Sequence, residues 1–126
     1  MNELKNKKVL LIITGGIAAY KSLELIRLLK KKGSFIKTIL SKNAHKFVTP
    51  LSVSSLSQEK VYSDLFDPTS EAEMDHISLS RWADIILIAP ATANTLSKIS
   101  NASPDDLAST VSVYYKHLTL PTIYSL

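Results

Sequence analysis

Two unbroken apolar runs stand out along the chain. Lys8–Thr14 (KVLLIIT) and Ile85–Ala89 (IILIA) show no alternation with polar residues, the pattern of strands covered on both faces. Pro90 ends the second run, because proline cannot supply the next ladder N–H. Ile17–Lys32 changes to a helical period, with Ala18, Leu25 and Leu29 on one face and Ala19, Leu23 and Ile26 beside it. Gly15-Gly16 separates this helix from the first run, and Gly33 stops it. Ser34–Ser41 (SFIKTILS) then returns as a strand, so the first third reads as a βαβ unit with parallel strands.

The middle of the chain carries weaker signals. Asn43 can cap a turn reaching Phe47, and Thr49-Pro50 reads as an N-cap followed by proline at the first helical position. Lys60–Phe66 suggests a short third strand, and the acidic stretch 67–75 a surface loop. His76–Trp82 reads as a short helix turning Ile77, Leu79 and Trp82 inward. After Ile85–Ala89, a helical run begins at Leu96, and a last helix starts near Pro104-Asp105-Asp106, with acids in its first turn. From Val111 onward no helical period is evident. Four strands and four or five helices in this order predict an α/β, doubly wound three-layer domain over residues 1–110, with 111–126 a tail set apart from it.

Composition narrows the chemistry. With 126 residues, 45% hydrophobic and 21% charged, the chain has the size and balance of one soluble domain. No cysteine is present, which excludes disulfides, thiolate metal sites and a thiol nucleophile within these residues. His45, His76 and His117 show no zinc-type spacing, so no metal site is expected. The net charge of +4 is concentrated in the first third. Lys30-Lys31-Lys32 before Gly33 reads first as the cationic last turn of a helix. A nucleic-acid patch is the weaker reading, since no aromatics interleave with the lysines. No stretch approaches the roughly 18 apolar residues of a membrane span, and a cytoplasmic location is the default expectation.

Candidate chemistry collects at two bends. Behind the Ile85–Ala89 strand, Ala91-Thr92-Ala93-Asn94-Thr95 is small and rich in hydrogen-bonding groups. The carboxyl ends of strands are where open α/β sheets bind ligands, although Thr and Asn there also serve as helix caps. Behind the first strand, Thr14-Gly15-Gly16-Ile17-Ala18-Ala19-Tyr20-Lys21-Ser22 places two glycines where backbone N–H groups can approach an anion at the positive end of a helix. This turn lacks the G-x-G-x-x-G fingerprint and misses the P-loop by one residue. Tyr20 stands where the second glycine of that loop belongs, which argues against triphosphate hydrolysis and leaves phosphate binding or a plain tight turn. Ser41 would face the same crevice from the end of the next strand. Besides the carboxylates, His76 is the only candidate general base that the reading singles out.

Taken together, these blocks resemble the flavin-containing cysteine decarboxylase family, and within it the branch that acts on phosphopantothenoylcysteine. The matching pieces run in the family's order: TGGIAAYKSLELIRLLKKKG at 14–33, SKNAHKFVTPLS at 41–52, MDHISLSRWADIILIAPATANTLSKISN at 74–101 and DDLAST at 105–110. The resemblance implies a Rossmann-like three-layer flavoprotein fold with a parallel sheet, truncated here at its C-terminal end. It also implies FMN as cofactor, a homotrimer or dodecamer, and a ligase domain downstream. The expected reaction is decarboxylation of 4′-phosphopantothenoylcysteine to 4′-phosphopantetheine in coenzyme A biosynthesis, with the 126-residue chain an incomplete fragment. In that scheme Gly15, Gly16, Ile17 and Ala18 line the FMN and Ser41 lies near its phosphate. Pro90, Ala91, Thr92 and Ala93 line it from the second bend, and Asp106 and Leu107 lie beside it. His76 would be the catalytic base, and Asn94 would hold the substrate carboxylate.

Three departures from the family pattern bear on this. Asn101-Ala102-Ser103-Pro104 replaces the usual Asn-Gly start of the last block, no flap with a cysteine follows, and Val111–Leu126 does not match. Alternatives within the same fold are a non-enzymatic FMN-binding regulatory protein and a peptidyl-cysteine decarboxylase. A nucleotide-binding regulatory module is more distant.

Overall fold

The first strand, β1 (Lys8–Ile13), takes the centre of the sheet because both of its faces are apolar and both are covered. Val9, Leu11 and Ile13 point into one core, Leu10 and Ile12 into the other, and none is more than 1% exposed. Burying each such side chain contributes about 1.5–3 kcal/mol. The computed structural model describes residues 3–63, 77–101, 111–112 and 123–125. Within these the elements run β1, α1 (Lys21–Lys31), β2 (Phe35–Leu40), α2 (Pro50–Ser57), β3 (Val61–Ser63), α3 (helical residues 77–82), β4 (Ile85–Ile88), α4 (Ala93–Ser100) and β5 (Ile123–Ser125). Short 3₁₀ turns at Ile17–Tyr20 and Lys42–Lys46 follow β1 and β2.

The sheet order is β3-β2-β1-β4-β5, with every pair parallel. Val9 pairs with Ile36 on one side and with Ile85 on the other. On the first face α1 and α2 contribute Ile26, Leu29 and Val53 to the core. On the second face α3 contributes Leu79 and, at its edge, Trp82, with Val111 beside them. The inward turn expected of Leu79 is therefore observed, while Trp82 is half-buried and carries the Lys37 ammonium 4.8 Å from its ring centroid. The result is the three-layer α/β architecture that the unbroken strands predict.

Several local expectations are corrected. The helix expected from Ile17 starts as a 3₁₀ turn, and regular α-helix begins only at Lys21. Its buried face is Ala19, Ser22, Ile26 and Leu29; Ala18 is exposed, and Leu25 lies half-buried at the edge. Gly33 does stop α1, at φ 88°, and the Ser34 and Gly33 N–H groups donate to the Leu29 and Lys30 carbonyls as a Schellman motif requires. Lys30 does more than face its own helix end. Its ammonium reaches the Ser57 carbonyl at 3.1 Å and the Gln58 amide oxygen at 2.7 Å, closing the C-terminus of α2. Thr49 caps α2 reciprocally with Ser52, with Pro50 in the first turn. Asn43 lies inside its 3₁₀ turn, whose N-cap is Ser41.

A fifth strand joins the four expected from sequence. Ile123 pairs opposite Ile86, and Ser125 opposite Ile88. Three residues behind a proline carry too little pattern to be recognised; the open edge of β4 makes them a strand. The expected loop over 67–75 and the helix from Pro104 lie outside the described residues.

Candidate functional site

Three neighbouring strands end on one rim of the sheet, and their exits pack against one another. After β1 the chain continues through Thr14, Gly15 and Gly16; after β2 through Ser41, Lys42 and Asn43; after β4 through Ala89, Pro90 and Ala91. The Ser41 N–H donates to the Ile13 carbonyl at 3.0 Å and the Ala89 N–H to the Ile12 carbonyl at 2.9 Å, which carries the ladder to the edge of the crevice.

Side-chain hydroxyls then tie the exits together. Thr14, 1% exposed, donates its hydroxyl to the Pro90 carbonyl. Ser22 in the first turn of α1 is 2% exposed, and its Oγ donates to the Ala89 carbonyl at 2.6 Å. The Ala89–Pro90 peptide is cis. A methyl group on Gly16 would lie 3.6 Å from the Pro90 Cγ, so the glycine turn faces the proline bend with room for one methyl group between them. A methyl group on Gly15 would lie 2.4 Å from the Asn43 Cβ, so that glycine is pressed against the exit of β2. The two bends singled out in the sequence therefore share one crevice.

The surface of that crevice is apolar with polar points. Ile17 is 80% exposed and Ala18 is also exposed, an unusual display of apolar side chains beside a sheet. The Ala19 N–H folds back to the Gly16 carbonyl at 2.9 Å, while Ile17 and Ala18 present the first N–H groups of the turn. Gly16 meets nothing but Pro90 within reach of an added Cβ, which leaves its backbone open. Lys42 and Lys46, both exposed, add positive charge from the neighbouring turn. A flat aromatic ring system bearing an anionic group fits these features: apolar contact from Ile17 and Ala18, and N–H donors and ammonium groups for the anion.

Of the residues expected at a site, Gly15, Gly16, Ile17, Ala18, Ser41, Pro90 and Ala91 come together on this rim. Ser41 is 9% exposed, and its side chain makes no capping bond. Thr92 lies immediately before α4, and its carbonyl accepts the Leu96 N–H at 3.0 Å. Ala93 and Asn94 accordingly belong to the first turn of α4, which begins three residues before the expected Leu96. His76, Asp106 and Leu107 lie outside the described residues.

The sequence places Thr14 and Ser22 in the candidate turn without giving either side chain a role, and gives Asn43 only a capping role. A signal for Ser22 existed: it is the one polar residue on the Ala19–Ile26–Leu29 face of α1, where a serine needs an acceptor. Further along the rim, the His45 imidazole Nε2 lies 2.6 Å from the Ser63 hydroxyl at the end of β3. No cluster of His, Cys, Asp or Glu able to hold a metal occurs among the described residues, and no helix among them is long and apolar enough to cross a membrane.

The fold is that of a Rossmann-like flavoprotein domain, and the chain belongs to the Flavoprotein family, whose profile matches residues 1–123. It is 44% identical over 111 residues to the coenzyme A biosynthesis bifunctional protein CoaBC of Vibrio vulnificus (strain YJ016), covering 88% of this chain and 28% of that protein. Among solved structures it is similar to a PPC decarboxylase mutant, C175S, complexed with pantothenoylaminoethenethiol (TM-score 0.73, 26% identity, 91% of this chain and 64% of that one). It is also similar to the FMN binding protein AtHal3 (TM-score 0.71, 27% identity, 87% of this chain and 60% of that one). The chain thus spans between a quarter and a third of the length of the bifunctional relative.

Proposed function

We propose that this chain carries the FMN-binding part of a phosphopantothenoylcysteine decarboxylase, a carboxy-lyase of coenzyme A biosynthesis. One observation carries the reading: the glycine turn after β1 and the proline bend after β4 are bonded to each other around an exposed apolar surface. Similarity to CoaBC and to the PPC decarboxylase structure supports the substrate. The FMN binding protein AtHal3 supports the cofactor.

In this reading Gly15, Gly16, Ile17 and Ala18 hold one side of the flavin, Pro90, Ala91, Thr92 and Ala93 the other, and Ser41 lies by its phosphate. The family resemblance assigns Asp106 and Leu107 to the same cofactor. FMN held there would take two electrons from the cysteine moiety, so that carbon dioxide departs readily, and would return them to the decarboxylated product, which makes the net reaction redox-neutral. His76 takes up a proton from the substrate as general base. Asn94 orients the substrate carboxylate through its amide. The protein works in the cytoplasm as a homotrimer or dodecamer, with a ligase domain downstream.

The test is to supply FMN to the purified chain, alone and extended through its native downstream sequence, and record flavin absorbance after gel filtration. Retained yellow colour and release of carbon dioxide from phosphopantothenoylcysteine are expected of the extended protein. A colourless extended protein refutes the reading. His76→Asn should abolish turnover and leave the colour; unchanged turnover removes His76 from the reaction.

A further inference from the structure

Two buried hydroxyls on the rim have an arrangement that chain folding alone does not require. Ser22 lies in the first turn of α1, where its hydroxyl could bond back to a carbonyl of the preceding turn, as serines in helices commonly do. It instead crosses to the Ala89 carbonyl at 2.6 Å, a residue 67 positions away. Thr14, at the opposite side of the same turn, takes the next carbonyl along, that of Pro90, 76 positions away. Both donors are essentially excluded from water, so neither bond is exchanged cheaply for solvent. The two carbonyls lie just beyond β4, which ends at Ile88, and the bond from the Ala89 N–H to the Ile12 carbonyl carries the ladder to its edge there. The glycine turn and the proline bend are therefore fastened at two successive peptides, with Gly16 facing the proline ring.

We propose that Ser22 and Thr14 are positioning residues, a latch that holds the Pro90 bend against the glycine turn and so sets the width of the flavin slot. This rests on the reading of the rim as a flavin site. Neither residue needs to touch the cofactor. Their work is to prevent the bend from swinging away in the cofactor-free protein, so that the slot is ready before FMN arrives. Preorganisation of this kind acts on affinity by removing an ordering cost from the binding step.

Two measurements on Ser22→Ala, Ser22→Thr, Thr14→Val and Thr14→Ser decide the matter. The first is amide hydrogen exchange of the cofactor-free chain, compared at Ala89, whose N–H bonds to Ile12, and at Leu10 within β1. Ser22→Ala and Thr14→Val should speed exchange at Ala89 about tenfold with Leu10 unchanged, the size expected for losing one buried hydrogen bond. The second is FMN affinity by quenching of flavin fluorescence. It should weaken about tenfold in the same two variants and stay within twofold of the parent in Ser22→Thr and Thr14→Ser, which keep the hydroxyl.

Exchange that rises equally at Ala89 and Leu10, or at neither, overturns the latch and leaves the two residues a general packing role. A local rise at Ala89 with FMN affinity unchanged overturns the link to the slot. If the parent chain and its extended form bind no FMN, the flavin reading fails and takes that link with it. The exchange data then still decide whether the latch exists.

Discussion

Adding one methyl group at Gly15 tests the packing of the rim directly. A Cβ there would stand 2.4 Å from the Asn43 Cβ, 3.0 Å from the Asn43 carbonyl carbon and 3.2 Å from its Cα. Two of these are backbone atoms, so no side-chain rotation relieves them, and the β2 exit must shift. Overpacking of this kind costs about 1–3 kcal/mol. Alanine also narrows the unfolded ensemble, which returns about 0.4–1 kcal/mol. The net expectation for Gly15→Ala is a loss of about 1–2 kcal/mol. Gly16→Ala is the control. Its φ of −172° is open to any residue, and the nearest atom would be Pro90 Cγ at 3.6 Å, an ordinary contact. It should leave stability unchanged or raise it by up to about 1 kcal/mol. Urea unfolding followed by circular dichroism separates the two, provided the slope with denaturant is unchanged. Placing Asn43→Gly in the Gly15→Ala background removes the 2.4 Å contact and leaves the other two. The pair should therefore be less destabilising than the sum of the singles by about 1 kcal/mol. Equal stability of Gly15→Ala and Gly16→Ala, or strict additivity with Asn43→Gly, refutes the argument.

Other expectations follow from the core and caps. Thr38 is fully buried on the α1–α2 face of β2, and its hydroxyl has no partner; Thr38→Val should raise stability by about 1 kcal/mol, read from the urea midpoint. Thr49→Ala removes the hydroxyl that accepts the Ser52 N–H, one arm of the α2 capping box, while the residue-49 N–H can still donate to the Ser52 hydroxyl; it should cost about 0.5–2 kcal/mol, with helical signal lost first from that end. Leu11→Ala, at a wholly buried position of the central strand, should cost about 2–5 kcal/mol and bring thermal unfolding close to ambient temperature.

How much of this was legible depended on whether the signal was local. β1 and β4 announce themselves because a parallel strand between two helical layers must be apolar on successive residues, and Leu10 and Leu11 do face opposite cores. The Thr49-Pro50 start of α2 and the Gly33 stop of α1 are likewise chemistry of adjacent residues. The face of α1 was misassigned because its stripe includes Ser22, whose partner is a carbonyl in another element. β5 was invisible for the same reason: its three residues are a strand only by pairing with β4. The joining of the two bends could be expected from strands ending on a common rim, but not the bonds that accomplish it. Those span 67 and 76 residues, and no local pattern encodes them.

The two consecutive glycines then acquire separate explanations. A central strand has a neighbour on each side, and the chain leaving it must clear the exits of both. With β2 and β4 flanking β1, Gly15 is the residue that clears β2, through Asn43, and Gly16 is the one that meets β4, through Pro90. The demand on Gly15 is absolute space, since a Cβ has nowhere to go. The demand on Gly16 is looser: space for a methyl group exists, and what that group would occupy is the opening beside the exposed Ile17. Stability should therefore register the first glycine and ligand affinity the second. A Gly16→Ala protein that unfolds like its parent but binds FMN several-fold more weakly would separate the two roles, whereas a variant that binds as tightly as the parent would show that the slot lies elsewhere on the rim.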